Sequence, residues 1–172
     1  MTAALAAPLV FRKATLDDVG VIVEIRSAAA RELGQRFGGG PWSREASERG
    51  VSAGFRRSMV WLAFEHDVPV GTLRLSTRKP WAIDRSFFAL VTRPLYLTDM
   101  AVEPSQQRRG VGRALLAEAE RVALAFPAQA IWLDAYDAPA GASGFYAACG
   151  YKEVGRRAYR DVPLVYFERR LR

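Results

Sequence analysis

The residues best suited to chemistry stand in one run, Gln107-Arg108-Arg109-Gly110-Val111-Gly112-Arg113. Before it, Leu95-Tyr96-Leu97-Thr98-Asp99-Met100-Ala101-Val102 has the content of a strand, and Pro104 stops that strand because proline has no N–H for a ladder. After it, Val111, Leu115, Leu116, Ala119, Val122 and Ala123 recur at helical spacing, so 110–125 reads as a helix. The run is a polar turn that opens this helix. The first-turn amides of a helix have no partner inside it, and the helix dipole adds partial positive charge there. Gly110 and Gly112 leave room for an anion to approach, while Arg108, Arg109 and Arg113 surround it with charge. The segment therefore suits a pyrophosphate; the plainer reading is a solvated basic helix entry. Its glycine spacing matches neither a dinucleotide fingerprint nor a nucleotide phosphate loop.

The elements that must position this run follow from the same patterning. Leu9 to Lys13 reads as a short strand, and Thr15 caps a helix whose first turn holds Asp17 and Asp18 and which should end near Gly34. A short second helix is expected from Ser43 to Gly50 or Gly54. Met59 to Glu65 and Val68 to Thr77 form a hairpin about His66-Asp67, with a bulge at Gly71. Residues 78–93 fit a short helix or a flap. Ile131 to Ala135 is a strand, Ala140 to Cys149 a small-residue helix stopped by Gly150, and Tyr151 to Gly155 and Leu164 to Glu168 are the last two strands. The order is a mixed α/β fold. At 172 residues, with no long linker, the chain is expected to be a single domain, with residues 1–8 a frayed terminus.

Gln107-x-x-Gly110-x-Gly112 resembles the Gln/Arg-x-x-Gly-x-Gly/Ala signature of the GCN5-related N-acetyltransferases, the GNAT family. The likeness extends to Phe11-Arg-Lys-Ala-Thr-Leu-Asp-Asp18, to Leu97 through Pro104, to Leu133-Asp-Ala-Tyr136 and to Gly144-Phe-Tyr146-Ala-Ala-Cys-Gly-Tyr151, in the family's order. The resemblance implies a mixed, mostly antiparallel central sheet of about seven strands flanked by four helices. It also implies an acetyl-CoA-dependent N-acetyltransferase with no metal, acting on a small amine or peptide amine by direct transfer. In that reading Met100, Ala101 and Val102 pair with the pantetheine arm as an added strand does. Gln107, Arg108, Arg109, Gly110, Val111, Gly112 and Arg113 then cradle the pyrophosphate.

Acyl transfer to an amine poses two proton problems. An alkylammonium of pKa about 10 must lose a proton to attack, and the departing thiolate benefits from gaining one. Tyr146 matches the family's general acid. For the base, Asp134 and Asp99 both match positions where relatives carry one, Glu65 is a third carboxylate near a strand end, and a water chain is the remaining alternative. Where relatives commonly have a cofactor-binding asparagine, this chain has Pro139, and Ser143 is the candidate to supply that contact. Trp42, Trp81, Phe87 and Phe88 fall where the family builds its acceptor pocket or its core.

Composition narrows the partners. The lone Cys149 rules out an internal disulfide, fits a reducing cytoplasm and reads as a buried structural residue. With a single histidine, His66 in a hairpin turn, neither a zinc site nor a Ser/His/Asp triad is expected. The net charge of +7 invites a nucleic-acid reading, but the arginines are spread over many elements, so none is expected to bind nucleic acid or membrane. The alternatives to catalysis are a CoA-binding sensor domain or a basic nucleic-acid-binding domain. Dimers are common in the family, and the strand 164–168 is the expected place for pairing between subunits.

Overall fold

The computed structural model describes residues 7–171. Most of the expected frayed terminus, residues 1–6, lies outside the described residues. The chain runs β1 (Val10–Lys13), α1 (Val19–Phe37), α2 (Glu48–Gly54), β2 (Ser58–Glu65), β3 (Val68–Ser76), β4 (Pro94–Val102), α3 (Val111–Ala125), β5 (Ala130–Tyr136), α4 (Ser143–Ala148), β6 (Lys152–Tyr159) and β7 (Val162–Arg170). This is the element order read from the sequence. The strands form one sheet in the order β1-β2-β3-β4-β5-β7-β6, antiparallel throughout except for the β4–β5 pair.

Alternation along each strand sends side chains to two faces. On one face α3 packs its apolar stripe, with Leu115 and Leu116 against Leu73, Leu95, Leu97, Leu133 and Phe167. Gly71 permits this approach, since a Cβ there would lie 2.8 Å from Leu115 Cδ1. On the other face α1 and α2 cover β2 through Ile22, Ile25, Val51, Val60 and Leu62. Beyond them the segment 78–93 lies over β5 and β7, placing Ile83, Phe88 and Val91 on Trp132 and Tyr166. Phe88 stacks on Trp132 at 4.5 Å between centroids, a pairing worth about 1 kcal/mol beyond burial.

Local differences from the sequence reading have physical causes. α1 continues past Gly34 to Phe37 and stops where Gly38 takes φ of 80°. α2 starts at Glu48, because Ser47 accepts the Gly50 N–H at 3.1 Å, and Pro41–Ser43 form a separate 3-10 turn. The hairpin bulge falls one residue before Gly71, at Val70, which the pairing of Phe64 with Pro69 and Ala63 with Gly71 leaves without a partner. Residues 78–93 are a flap with one 3-10 turn, tied down where Glu168 accepts the Ala89 N–H (3.2 Å) and Tyr166 donates to the Ala82 carbonyl. The strand around 164–168 is not an edge: β7 lies between β5 and β6, so its backbone has no free side for another subunit.

The connection from β5 to α4 depends on one glycine. A Cβ at Gly141 would sit 1.9 Å from the Tyr136 carbonyl oxygen. Gly141→Ala is therefore expected to push the loop off the end of β5 and cost about 1–3 kcal/mol, read as a lower chemical-denaturation midpoint; a midpoint equal to the parent's would contradict this packing.

Candidate active site

Two breaks in regular structure create the site. The first is at the turn into α3. Arg108 has φ of 59° and Gly110 φ of 89°, so left-handed residues alternate with ordinary ones and successive N–H groups converge on a concave surface. The backbone N–H groups of Arg108, Arg109, Gly110, Val111, Gly112 and Arg113 donate to no backbone or side-chain acceptor among the described residues. The space a Gly110 side chain would fill is open. Gln107 ties the turn back to its strand, its Nε2 donating to the Val102 carbonyl at 3.1 Å. The three arginines divide: Arg109 is paired with Glu65 at 3.3 Å, Arg113 donates to the Ala148 carbonyl at 3.5 Å, and the Arg108 guanidinium has no ion pair among the described residues.

The second break is in the sheet. β4 and β5 pair only from Pro94–Ala130 to Tyr96–Trp132. Beyond that the strands diverge, leaving Leu97–Val102 without a partner on the β5 side, and β5 paired only with β7. A bulge sharpens the divergence: Thr72 faces Ala101 and Arg74 faces Thr98, so β4 has an extra residue there, and Asp99 takes φ of 53°. Met100, Ala101 and Val102 line the opened edge, which leads to the amides of the turn.

The titratable candidates sit on either side of this gap. Tyr146 is buried on the α4 side, packed edge-to-face with Phe145 and Tyr151 at 5.3 and 5.9 Å. Burial pushes its hydroxyl well up, and the nearby Asp134 charge adds to the shift, so the phenol stays protonated and neutral. That hydroxyl donates to no described group. Leu133 and Ala135 share its core, so alternation places Asp134, between Trp132 and Tyr136, on the opposite face. Burial lifts the Asp134 carboxyl to about 6, with a hydrogen bond from its own backbone opposing and the Asp99 charge reinforcing the rise. Asp99 itself is held by Arg26 at 3.1 Å and Arg74 at 3.0 Å.

A family model for GNAT acetyltransferases matches residues 25–151, most of the chain and all of this geometry. The chain belongs to the GNAT acetyltransferase family. Solved structures share the fold. A GCN5-related N-acetyltransferase from Rhodopseudomonas palustris superposes with a TM-score of 0.73 at 19% identity, over 98% of this chain and 99% of that one. YncA from Salmonella typhimurium, a putative acetyltransferase solved with acetyl-CoA, gives 0.69 at 16% identity over 95% and 94%. The PaiA N-acetyltransferase of Thermoplasma acidophilum, solved with coenzyme A, gives 0.70 at 15% identity over 92% and 98%. Among curated proteins, none matches the chain by sequence.

Within this GNAT fold the other candidates separate by position. Glu65 lies at the β2 end and neutralises Arg109 beside the turn, away from the Asp134 side of the gap. Gly112 has a packing reason that the sequence reading missed: a Cβ there would lie 3.0 Å from Phe145 Cζ and 3.6 Å from Met100 Cε, so it lets α3 close on α4. Ser143 is the half-buried first residue of α4, and Pro139 is exposed in the loop before it. Cys149 is half-buried against the α3–α4 core, and His66 occupies the β2–β3 turn with φ of 48°. Of the four aromatics, Phe88 is core and Phe87 packs on Tyr166 at 5.4 Å. Trp81 is exposed, and Trp42 meets Tyr136 edge-on at 5.8 Å.

The sequence reading named Tyr136 only within the family block, and it gave no role to Tyr136 or Tyr166 beside Asp134 or to the Arg26–Arg74 clamp on Asp99. Tyr136 was discoverable, since it stands two residues after Asp134 and so on the same strand face. Tyr166 pairs directly across from Asp134 in the β5–β7 register, which only the fold reveals.

Proposed function

We propose that this chain is an N-acetyltransferase that moves the acetyl group of acetyl-CoA directly to the amine of a small molecule or peptide. The observation that carries this reading is the continuity of the open β4–β5 gap with the unpartnered amides of 108–113. The exposed edge at Met100, Ala101 and Val102 suits an extended amide-bearing arm, and the convergent N–H groups with Arg108 suit a pyrophosphate.

The chemistry divides across the gap. The acceptor amine enters from the Trp42, Tyr136 and Tyr166 face, where Asp134 takes its ammonium proton. The free amine then attacks the thioester carbonyl, the carbon–nitrogen bond forms and the carbon–sulfur bond breaks. Tyr146, from the α4 face, delivers a proton to the departing thiolate, and the proton that the new amide nitrogen gives up restores the neutral phenol. Asp134 is favoured over Asp99 as the base because both Asp99 oxygens are occupied by guanidiniums. Asp99 instead holds the bulge that keeps the gap open, and Ser143, the first residue of α4, takes up the cofactor contact in place of the asparagine that Pro139 replaces.

Incubation with acetyl-CoA and a panel of amines, polyamines, amino acids and peptides is expected to release free CoA thiol with at least one acceptor class. Acetyl-CoA binding without thiol release from any of them would instead assign the chain to CoA sensing. Arg108→Gln is expected to weaken acetyl-CoA binding about tenfold, the loss of one charge-assisted phosphate contact, measured by calorimetric titration; unchanged affinity would remove Arg108 from the cradle.

A further inference from the structure

The end of the sheet remote from the cofactor turn has a charge pattern that the transferase reading does not use. The register brings the start of β2, the end of β3, the starts of β4 and β5 and the end of β7 to one end: Ser58 faces Ser76, Ser76 faces Tyr96, Pro94 faces Ala130 and Ala130 faces Arg170. The chain places Arg56, Arg57, Arg78, Lys79, Arg93 and Arg170 at these ends, every one exposed. None is in an ion pair with a described residue; Lys79 donates only to the carbonyls of Pro80 and Ile83.

The segments 55–58, 76–80, 91–94, 126–130 and 169–171 contain no aspartate or glutamate. The carboxylates around this end are already paired or stand at its corners: Asp18 is bound to Arg12 at 2.8 Å past β1 with Asp17 beside it, Glu120 is bound to Arg169 at 3.1 Å next to Arg170, and Glu153 is bound to Arg156 at 2.7 Å on β6. The arginines that are scattered along the sequence are therefore gathered by the fold into a cationic rim. Five strands at roughly 4.8 Å spacing give it a length of roughly 20 Å. Two exposed rings flank it: Trp81, 80% exposed, two residues after Lys79, and Phe126, 44% exposed, at the end of α3 just before β5.

We infer that this rim binds single-stranded nucleic acid, with the guanidiniums on successive phosphates and Trp81 and Phe126 offering faces on which bases stack. A linear row of cations with separate aromatic platforms is the arrangement such strands require. An anionic membrane also attracts cations, but insertion requires a continuous apolar face, and here the two rings stand on separate segments. The inference is independent of acetyl transfer, because no rim residue belongs to the gap or the turn.

The test is fluorescence anisotropy with a labelled single-stranded RNA of about 20 nucleotides at two salt concentrations. The parent protein is expected to bind with an affinity that falls steeply as salt rises. The R56Q/R57Q/R78Q variant is expected to bind about tenfold more weakly at low salt, with the log–log salt slope reduced by roughly 2, at about 0.7 per lost phosphate contact. Its thermal stabilisation by acetyl-CoA should equal the parent's, which establishes that it is folded. If that variant fails to fold, R93Q/R170Q, on the neighbouring strands, replaces it with the same expected direction. An anisotropy that stays flat for the parent, equal affinity for parent and folded variant, or capture by phosphatidylglycerol vesicles without RNA binding would each overturn the inference.

Discussion

Asp134→Asn is expected to lower kcat/KM for acetyl transfer about 100- to 1000-fold, the range for losing a positioned general base, while raising the stability of the folded protein at pH 8. The two effects share one cause. Burial holds the Asp134 carboxyl at about 6, above the ordinary carboxylate value. A group whose pKa is raised on folding binds its proton more tightly in the native state. Its contribution to stability is therefore fully present below the unfolded pKa and is lost as pH rises through about 6. Ionised at pH 8, it costs up to about 3 kcal/mol that asparagine does not. The stability gap between variant and parent should close as pH falls toward 4. The parent's kcat/KM should rise through a limb near pH 6 that the variant lacks. A parent profile without that limb, or a variant with parental turnover, would take the base role from Asp134 and return the proton to a water chain.

Tyr146→Phe is expected to lower kcat about 100-fold with acetyl-CoA affinity changed less than twofold, the mark of a group that acts on the leaving thiolate. The structure makes this a clean substitution. The hydroxyl makes no hydrogen bond to a described residue, so its removal leaves no buried partner unsatisfied. The ring contacts with Phe145, Tyr151 and Phe167 survive in phenylalanine. Thermal stability should therefore stay near the parent's. A purely structural tyrosine would show the opposite pattern, with parental turnover.

The fold was legible because its signals are local. Each strand and helix declared itself through alternation, helical spacing or a stop such as Pro104 or Gly150, and Gly110 marked the turn at the mouth of α3. What escaped the sequence depends on contacts between distant segments. Arg26 reaches Asp99 across 73 positions and Arg109 reaches Glu65 across 44, and no spacing rule connects them. The same is true of Gly112, whose neighbour Phe145 belongs to another helix. The flap 78–93 was ambiguous because its apolar residues serve a sheet face rather than a helical stripe. The spread of arginines along the chain concealed their convergence at one sheet end, which is a property of strand register alone.

In the proposed complex the turn 108–113 holds the pyrophosphate of acetyl-CoA while Met100 to Val102 hold its arm. The most direct test is a titration of isotope-labelled protein with acetyl-CoA, followed by the NMR signals of its backbone amides. The amides of Arg108, Arg109, Gly110, Val111, Gly112 and Arg113 are expected to shift most, together with those lining the β4 edge. Saturation with acetyl-CoA that leaves the 108–113 amides in place while others move would contradict it.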